Sequence, residues 1–323
     1  MSHQHHVPLG TLVLTALSGV LIAIQSRANG QLAHTLNNGM EASLISFGSG
    51  FAVLMVGAAF SSRLRAGLKA IAAAARGRVL PRWQLLAGMG GGTFVLVQVH
   101  AVPLVGVALF SVGTIAGQSA ASIIVDRLGI RSGVRHHITP RRVITAAISV
   151  AAVAVSVADR VEDGSHWVTI LALLAGAVVA VQRAANAHIT DFSQHSYATT
   201  WLNFATGTSM LVFMSFFTGG VMVAPPLAAS SWWMYSGGTL GVIYIAMAAV
   251  AVQRLGVLMF TAIGIGGQLV GSLVIDLLFP TPGVSIGLNL YVGIALSLTA
   301  VVIGGVRLKR PSLEPAHHDP EQQ

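Results

Sequence analysis

Two stretches of this chain, LVGVALFSVGTIAGQSAASIIVDRL at residues 104–128 and RLGVLMFTAIGIGGQLVGSLVIDLL at residues 254–278, are variants of one pattern. At a constant offset of 150, Gly106, Phe110, Gly117, Gln118, Ser122 and Asp126 recur as Gly256, Phe260, Gly267, Gln268, Ser272 and Asp276. Chance matches in an apolar chain fall mostly on Ala, Val, Leu and Gly. The shared Gln, Ser and Asp therefore indicate a duplication.

A second set of matches lies upstream, at an offset of 157. Here Gln25, Asn29, Ser43, Phe47 and Gly50 correspond to Gln182, Asn186, Thr200, Phe204 and Gly207. A duplicated apolar unit with matched polar positions is typical of membrane transporters.

The composition indicates that the bilayer is the solvent of this chain. Only 9% of its 323 residues are charged, 54% are apolar, and the mean hydropathy is +0.75, whereas a soluble domain has about 25% charged residues. The net charge of +8 comes from short clusters between apolar runs, with no basic helix face or aromatic platform. This distribution argues against nucleic-acid binding. The absence of cysteine excludes a disulfide framework, a thiolate metal site and cysteine catalysis.

A hydrocarbon core of roughly 30 Å needs about 20 apolar residues per helix, and ten runs fit this length. They are residues 9–30, 41–60, 84–101, 104–125, 143–158, 167–187, 198–218, 232–252, 255–277 and 286–306. Almost no loop remains around 99–106 and 250–257, so we expect a tight turn at each, and Pro103 suits the first.

The cations predict the orientation of these spans. Arg and Lys cluster at residues 63–82 and 127–142, and alternation of the spans places all but Arg27 and Arg160 on the cytoplasmic side, together with both termini. Five spans per repeat is an odd number, so the second repeat is inverted. We expect an all-α membrane protein of ten transmembrane helices in two inverted five-helix repeats, residues 1–158 and 159–310, with a disordered tail at 311–323.

Matched polar residues predict the substrate pathway. Gln118, Ser122 and Asp126 form one stripe on a helix face, with Gln118 and its copy Gln268 near the bilayer midplane. Unsatisfied polar groups are costly in hydrocarbon, so the amides face the bundle interior, where they line a cavity or form interhelical hydrogen bonds that fix packing. The substrate-binding candidates are Gln118, Gln268, Gln25, Gln182, Asn29, Asn186, Phe47 and Phe204.

A second group of residues lies near the predicted mouths. Asp126 is expected at the cytoplasmic mouth and Asp276 at the outer mouth; with Ser122, Ser272 and Glu41 they are candidates for gating or proton coupling. The alternative for the acids is a solvated helix end. The histidines lie mainly in tails and loops without a ligand pattern, and no Gly-Lys-Ser/Thr follows the glycines at 88–92, so no metal, cofactor or catalytic residue is expected.

The motif Gly117-Gln118-x3-Ser122-x3-Asp126-Arg127-Leu128-Gly129, the stretch IQSRANGQL at 24–32 and the stretch WWMYSGG at 232–238 resemble the drug/metabolite transporter superfamily, in particular its YdcZ-like exporters of the inner membrane. The resemblance implies a secondary carrier for small organic molecules in the bacterial plasma membrane, with its cavity between the halves. Leu277 follows Asp276 where the first half has Arg, and Ala187 replaces Gly30, so the halves need not be equivalent gates.

Together these features predict a secondary transporter that exports a small organic molecule by alternating access. Protons are a candidate coupling ion, the lipid bilayer surrounds the protein, and nucleic acid is not expected as a partner. The sequence leaves open whether the protein forms a homodimer. The alternative is a non-transporting membrane subunit or scaffold.

Overall fold

The computed structural model describes residues 8–130, 138–158, 165–218 and 229–305; the expected tail at 311–323 and Arg160 lie outside them. Within these ranges the chain is helical and has no strand. The helices are α1 (Leu9–Leu36), α2 (Gly39–Phe60), α3 (Ser62–Arg76), α4 (Gly88–Leu128), α5 (Pro140–Ser156), α6 (Ser165–Ser193), α7 (Ser196–Ser215), α8 (Gly237–Leu278) and α9 (Leu288–Gly305). Short 3-10 helices at Arg82–Leu86 and Ala229–Ser236 precede α4 and α8.

Local sequence explains several helix ends. The side chain of Asn38 accepts a hydrogen bond from the backbone N–H of Glu41 at 3.2 Å and caps α2. Asn37 after α1 and Gly129 after α4 adopt the left-handed conformation, which Asn and Gly tolerate best.

The two longest helices are each broken once, at matched glycines. Gly106 in α4 has φ 82° and ψ 168°, and Gly256 in α8 has φ 74° and ψ 160°. Only glycine adopts this backbone conformation readily. The expected breaks are therefore present, but the first is made by Gly106 and not by Pro103, through which α4 continues.

By length and composition, seven helical segments of the described chain can cross a bilayer, at residues 9–36, 39–60, 82–128, 166–193, 232–256, 259–278 and 288–305. The expected number was ten. In this set residues 82–128 count as one segment, α5 has only 17 residues, and the N-terminal half of α7 is polar. The chain is an all-helical, multi-pass membrane protein.

The amphipathic helix α3 lies where the sequence suggested only a cationic loop. Its buried residues Leu64, Gly67 and Ile71 share one face and pack against α6 and α7. The cations of α3 are exposed on the other faces.

The sequence-matched residues make reciprocal contacts. A Cβ at Gly207 would lie 2.5 Å from Cε1 of Phe47, and a Cβ at Gly50 would overlap Cε1 of Phe204. The same contact thus occurs twice with the partners exchanged.

The helix pairs repeat this exchange. In the α4–α6 pair a Cβ at Gly117 would overlap the carbonyl of Leu173, and in the α1–α8 pair a Cβ at Gly267 would overlap the carbonyl of Ala16. Leu173 and Ala16 occupy matched positions at the 157-residue offset. Helix α1 of the first half therefore packs on α8 of the second as α6 packs on α4, and the two halves are interlocked.

Candidate substrate cavity

A cavity of about 370 Å³ lies between the two halves. This volume falls at the lower end of the range of small-molecule sites, roughly 300–1,000 Å³. The structure brings together in its lining seven of the eight substrate-binding candidates: Gln25, Phe47, Gln118, Gln182, Asn186, Phe204 and Gln268. Residues that the repeat pattern did not single out also line it: Ser46, Phe94, Arg183, Thr190, Thr199, Asn203 and Tyr244.

Phe47 and Phe204 form an aromatic wall of the cavity where α2 and α7 approach each other closely. The ring centroids of Phe47 and Phe204 are 5.1 Å apart, within the 4.5–7 Å range of favourable aromatic pairs. Each ring lies over a glycine of the other helix, α2 or α7. Both side chains line the cavity although each is at least nine-tenths buried.

Several polar atoms of the lining have no protein partner. Oε1 of Gln118, Oδ1 of Asn186 and Oγ of Ser46 are buried without a hydrogen bond in the described structure. Gln182 Nε2 and Asn203 Oδ1 are 3.5 Å apart, a long hydrogen bond. Since an unpaired buried polar atom costs about 1–3 kcal/mol, these groups are suited to a bound molecule or water.

Arg183 also lines the cavity, whereas the sequence predicts it on the cytoplasmic side, in the headgroup zone beside Gln182 and Asn186. It lies on α6, one residue after Gln182, and its side chain is exposed. No hydrogen bond or ion pair to it occurs among the described residues. The signal that could have identified it is its position between Gln182 and Asn186, both of which were candidates.

Asn29 is the one substrate-binding candidate that lies outside the cavity lining. Its side chain is fully buried, and Nδ2 donates to Oε1 of Gln98 at 2.8 Å. Gln98 in turn donates through Nε2 to Oγ of Ser26 at 2.7 Å. Asn29 therefore belongs to a buried network that joins α1 to α4, whereas its copy Asn186 faces the cavity. Gln98 could not be identified from the sequence as the partner of Asn29, because the two residues lie on different helices.

The side chain of Asp276 binds the backbone at the break in α4. Its carboxylate accepts hydrogen bonds from the backbone N–H groups of Val107 at 3.0 Å and Ala108 at 2.7 Å. These are the first residues after Gly106, where helical N–H groups have no partner in their own helix and the helix dipole favours a negative charge. Asp276 is 4% exposed.

Asp126, the copy of Asp276, has a different environment. It forms an ion pair with Arg142 of α5, and its side chain is 30% exposed. Sequence-identical positions of the two halves thus occupy different states in one structure.

The remaining gating candidates do not join the cavity. The hydroxyl of Ser122 donates to the carbonyl of Ser119, and that of Ser272 donates to the carbonyl of Gln268, so both satisfy themselves within their own helix. The sequence leaves a solvated helix end as the alternative for Glu41, but Glu41 is only 4% exposed, and its Oε1 has no partner among the described residues.

The sequence model of one protein family, described as "Putative inner membrane exporter, YdcZ", matches residues 10–155 and 167–303. These segments fall within the two halves identified from the repeats. A search of the curated proteins found no match to this chain. The matched segments cover most of the chain, and the resemblance seen in the sequence motifs is confirmed: the chain belongs to the YdcZ family of the drug/metabolite transporters.

Proposed function

We propose that this protein is a secondary transporter that exports a small organic molecule through the cavity between its halves by alternating access. The proposal is supported by the binding of Asp276 at the break in α4, whereas no described residue makes such a contact at the equivalent break in α8. A Cβ at Gly106 would lie 2.8 Å from Oδ2 of Asp276, but one at Gly256 would meet no atom of the described residues within 4 Å. A carboxylate thus binds the break at one end of the duplicated structure, and no described residue binds the equivalent break at the other end. Alternating access requires such a difference between the two ends.

Ten spans follow from treating each broken helix as two. Unbroken, the 41 residues of α4 would extend about 60 Å, twice the thickness of the hydrocarbon core. Residues 88–105 and 107–128 each have the length of one crossing, as do 237–255 and 257–278. With α1, α2, α5, α6, α7 and α9 they make ten, and α3 lies at the membrane surface.

A twofold relation between the halves is supported by the reciprocal contacts. Contacts in which two equivalent residues exchange partners are the signature of a twofold axis. With five spans in each half, that axis lies in the membrane plane.

Two side-chain contacts support the predicted orientation, because each joins residues that are expected on the same side of the membrane. Arg27, expected outside, donates to Thr281 after α8 at 2.8 Å, near the end occupied by Asp276. Arg141, expected inside, donates to the carbonyl of Gly304 near the cytoplasmic end of α9. On this topology the outer mouth is closed, and the cavity opens toward the cytoplasm, where an exporter collects its substrate.

Cysteine accessibility tests this proposal without knowledge of the substrate, because the chain has no cysteine of its own. Gln25→Cys places a thiol in the cavity. In sealed membrane vesicles an impermeant maleimide should reach it much faster from the cytoplasmic face than from the outer face. Adding Asp276→Asn should raise the outer rate several-fold, while the matched change Asp126→Asn should not. Equal labelling from both faces in all three proteins would reject alternating access and favour a non-transporting subunit.

A further inference from the structure

We infer that the cavity binds a small organic anion, with Arg183 as its counter-ion. This inference rests on the proposed function, because it names the class of molecule that the transport cavity takes.

The charge of the cavity has one sign. Among the described residues of its lining, Arg183 is the only Arg or Lys, and none is an Asp or Glu. The four described carboxylates lie outside the lining: Asp276 binds the break in α4, Asp126 pairs with Arg142, Glu41 is buried at the start of α2, and Asp191 is exposed near the end of α6. A cleft lined by a single sign of charge, with low-dielectric walls, concentrates ions of the opposite sign.

The guanidinium of Arg183 is free to take up an external partner. No protein hydrogen bond or ion pair engages it in the part of the chain that the structure describes, so an anion displaces no internal counter-ion. Arg stays charged at any physiological pH and offers a planar fork of donors that matches a carboxylate, sulfonate or phosphate. A charge at membrane depth is costly unless it is used, and an anion in the cavity would offset this cost.

The other lining residues indicate the chemistry of the rest of the ligand. Phe47, Phe94, Phe204 and Tyr244 give the cavity an aromatic and apolar side. The unpaired carbonyl oxygens of Gln118 and Asn186 are acceptors, and they call for a hydroxyl or amino donor on the ligand. The inferred ligand is therefore a compact aromatic or apolar acid that also carries a hydrogen-bond donor.

Arg183 has no equivalent in the first half. At the 157-residue offset its position is taken by Ser26, which is buried and hydrogen-bonded to Gln98. The anion site is therefore off the twofold axis and belongs to the second repeat.

The test uses three probes with similar bodies: 4-hydroxybenzoate, neutral 4-hydroxybenzamide and cationic tyramine. Binding is measured as the ligand-dependent rise in the midpoint of thermal unfolding of the full-length protein in detergent micelles. We expect the anion to stabilise the protein, with an apparent affinity at least tenfold higher than that of the amide or the amine.

The variant Arg183→Gln should reduce the affinity for 4-hydroxybenzoate at least tenfold and leave the weak binding of the amide unchanged. Arg82→Gln is the matched control, because it removes one positive charge from an exposed site outside the cavity lining, and it should bind the anion as the wild type does. Arg183→Lys should restore part of the affinity.

The inference is overturned if the anion produces no stabilisation, if the amide or amine binds as well as the anion, or if Arg183→Gln and Arg82→Gln behave alike. None of these outcomes alters the accessibility experiment on Gln25→Cys, so the ligand class can fail while alternating access stands.

Discussion

The rings of Phe47 and Phe204 lie 5.1 Å apart and are tilted by 34° to each other. They are copies of one residue in the two halves of the chain, and each packs on the glycine that follows the other by three positions. The contact between α2 and α7 thus consists of one Phe–Gly pair that occurs twice, four residues in all.

Alanine at Gly207 should destabilise the protein, because its Cβ would lie 2.5 Å from the Phe47 ring and 2.8 Å from the carbonyl oxygen of Gly88. Overpacking of this kind costs about 1–3 kcal/mol. The control is Gly48→Ala in α2, where a Cβ would meet no atom of the described chain within 4 Å. Removal of this helical glycine should be neutral or stabilising by up to about 1 kcal/mol. Thermal unfolding in detergent measures both; equal effects would show that the Phe47–Gly207 contact does not limit packing.

Leucine at Gln98 should lower stability by about 1–3 kcal/mol, because Asn29 loses the acceptor of its buried hydrogen bond. The double variant Asn29→Leu with Gln98→Leu should lose less than the sum of the two single changes, since no unpaired amide remains at that contact. Strict additivity in the unfolding midpoints would mean that the two amides do not interact.

Gln118→Leu and Gln268→Leu should each abolish transport, because both side chains line the cavity. Both variants should still fold, because neither side-chain amide makes a hydrogen bond to the protein within the described residues. Uptake of radiolabelled 4-hydroxybenzoate into inside-out proteoliposomes, corrected for flux through empty liposomes, provides the measurement. A non-transporting scaffold would show no protein-dependent flux even in the wild type.

Proton coupling remains a prediction, and Asp276 is the residue to test. Loss of its charge by protonation would weaken its hold on the N–H groups of Val107 and Ala108 and favour opening of the outer mouth. If protons drive the cycle, flux in proteoliposomes should fall when an ionophore collapses the proton gradient, and Asp276→Asn should remove that response. Flux that persists without the gradient would leave uniport or exchange.

Much of this fold could be predicted from the repeated residues. The breaks near residues 106 and 256 follow from apolar runs too long for one crossing, and the cavity residues follow from matched polar and aromatic positions. Helix α3 was missed because its cations dominate residues 63–76, and its apolar face becomes evident only against the ends of α6 and α7.

The states of Asp126 and Asp276 could not be predicted for a different reason. Their sequence contexts are nearly identical, and a duplicated sequence specifies which contacts each half can make. Which half makes them depends on the conformation of the whole molecule. Arg183 was not among the predicted cavity residues, because a cation beside Gln182 is equally typical of a helix end in the headgroup zone.

The positive charge of Arg183 determines how the membrane voltage acts on the transport cycle. An empty site carries one positive charge, and a bound monoanion neutralises it. The voltage across the membrane, worth about 2.3 kcal/mol per charge per 100 mV, then acts on the return of the unloaded carrier and hardly on the loaded one. An interior-negative voltage favours the return of the empty, positively charged site to the cytoplasmic side. The resting potential would therefore drive the return step of each export cycle.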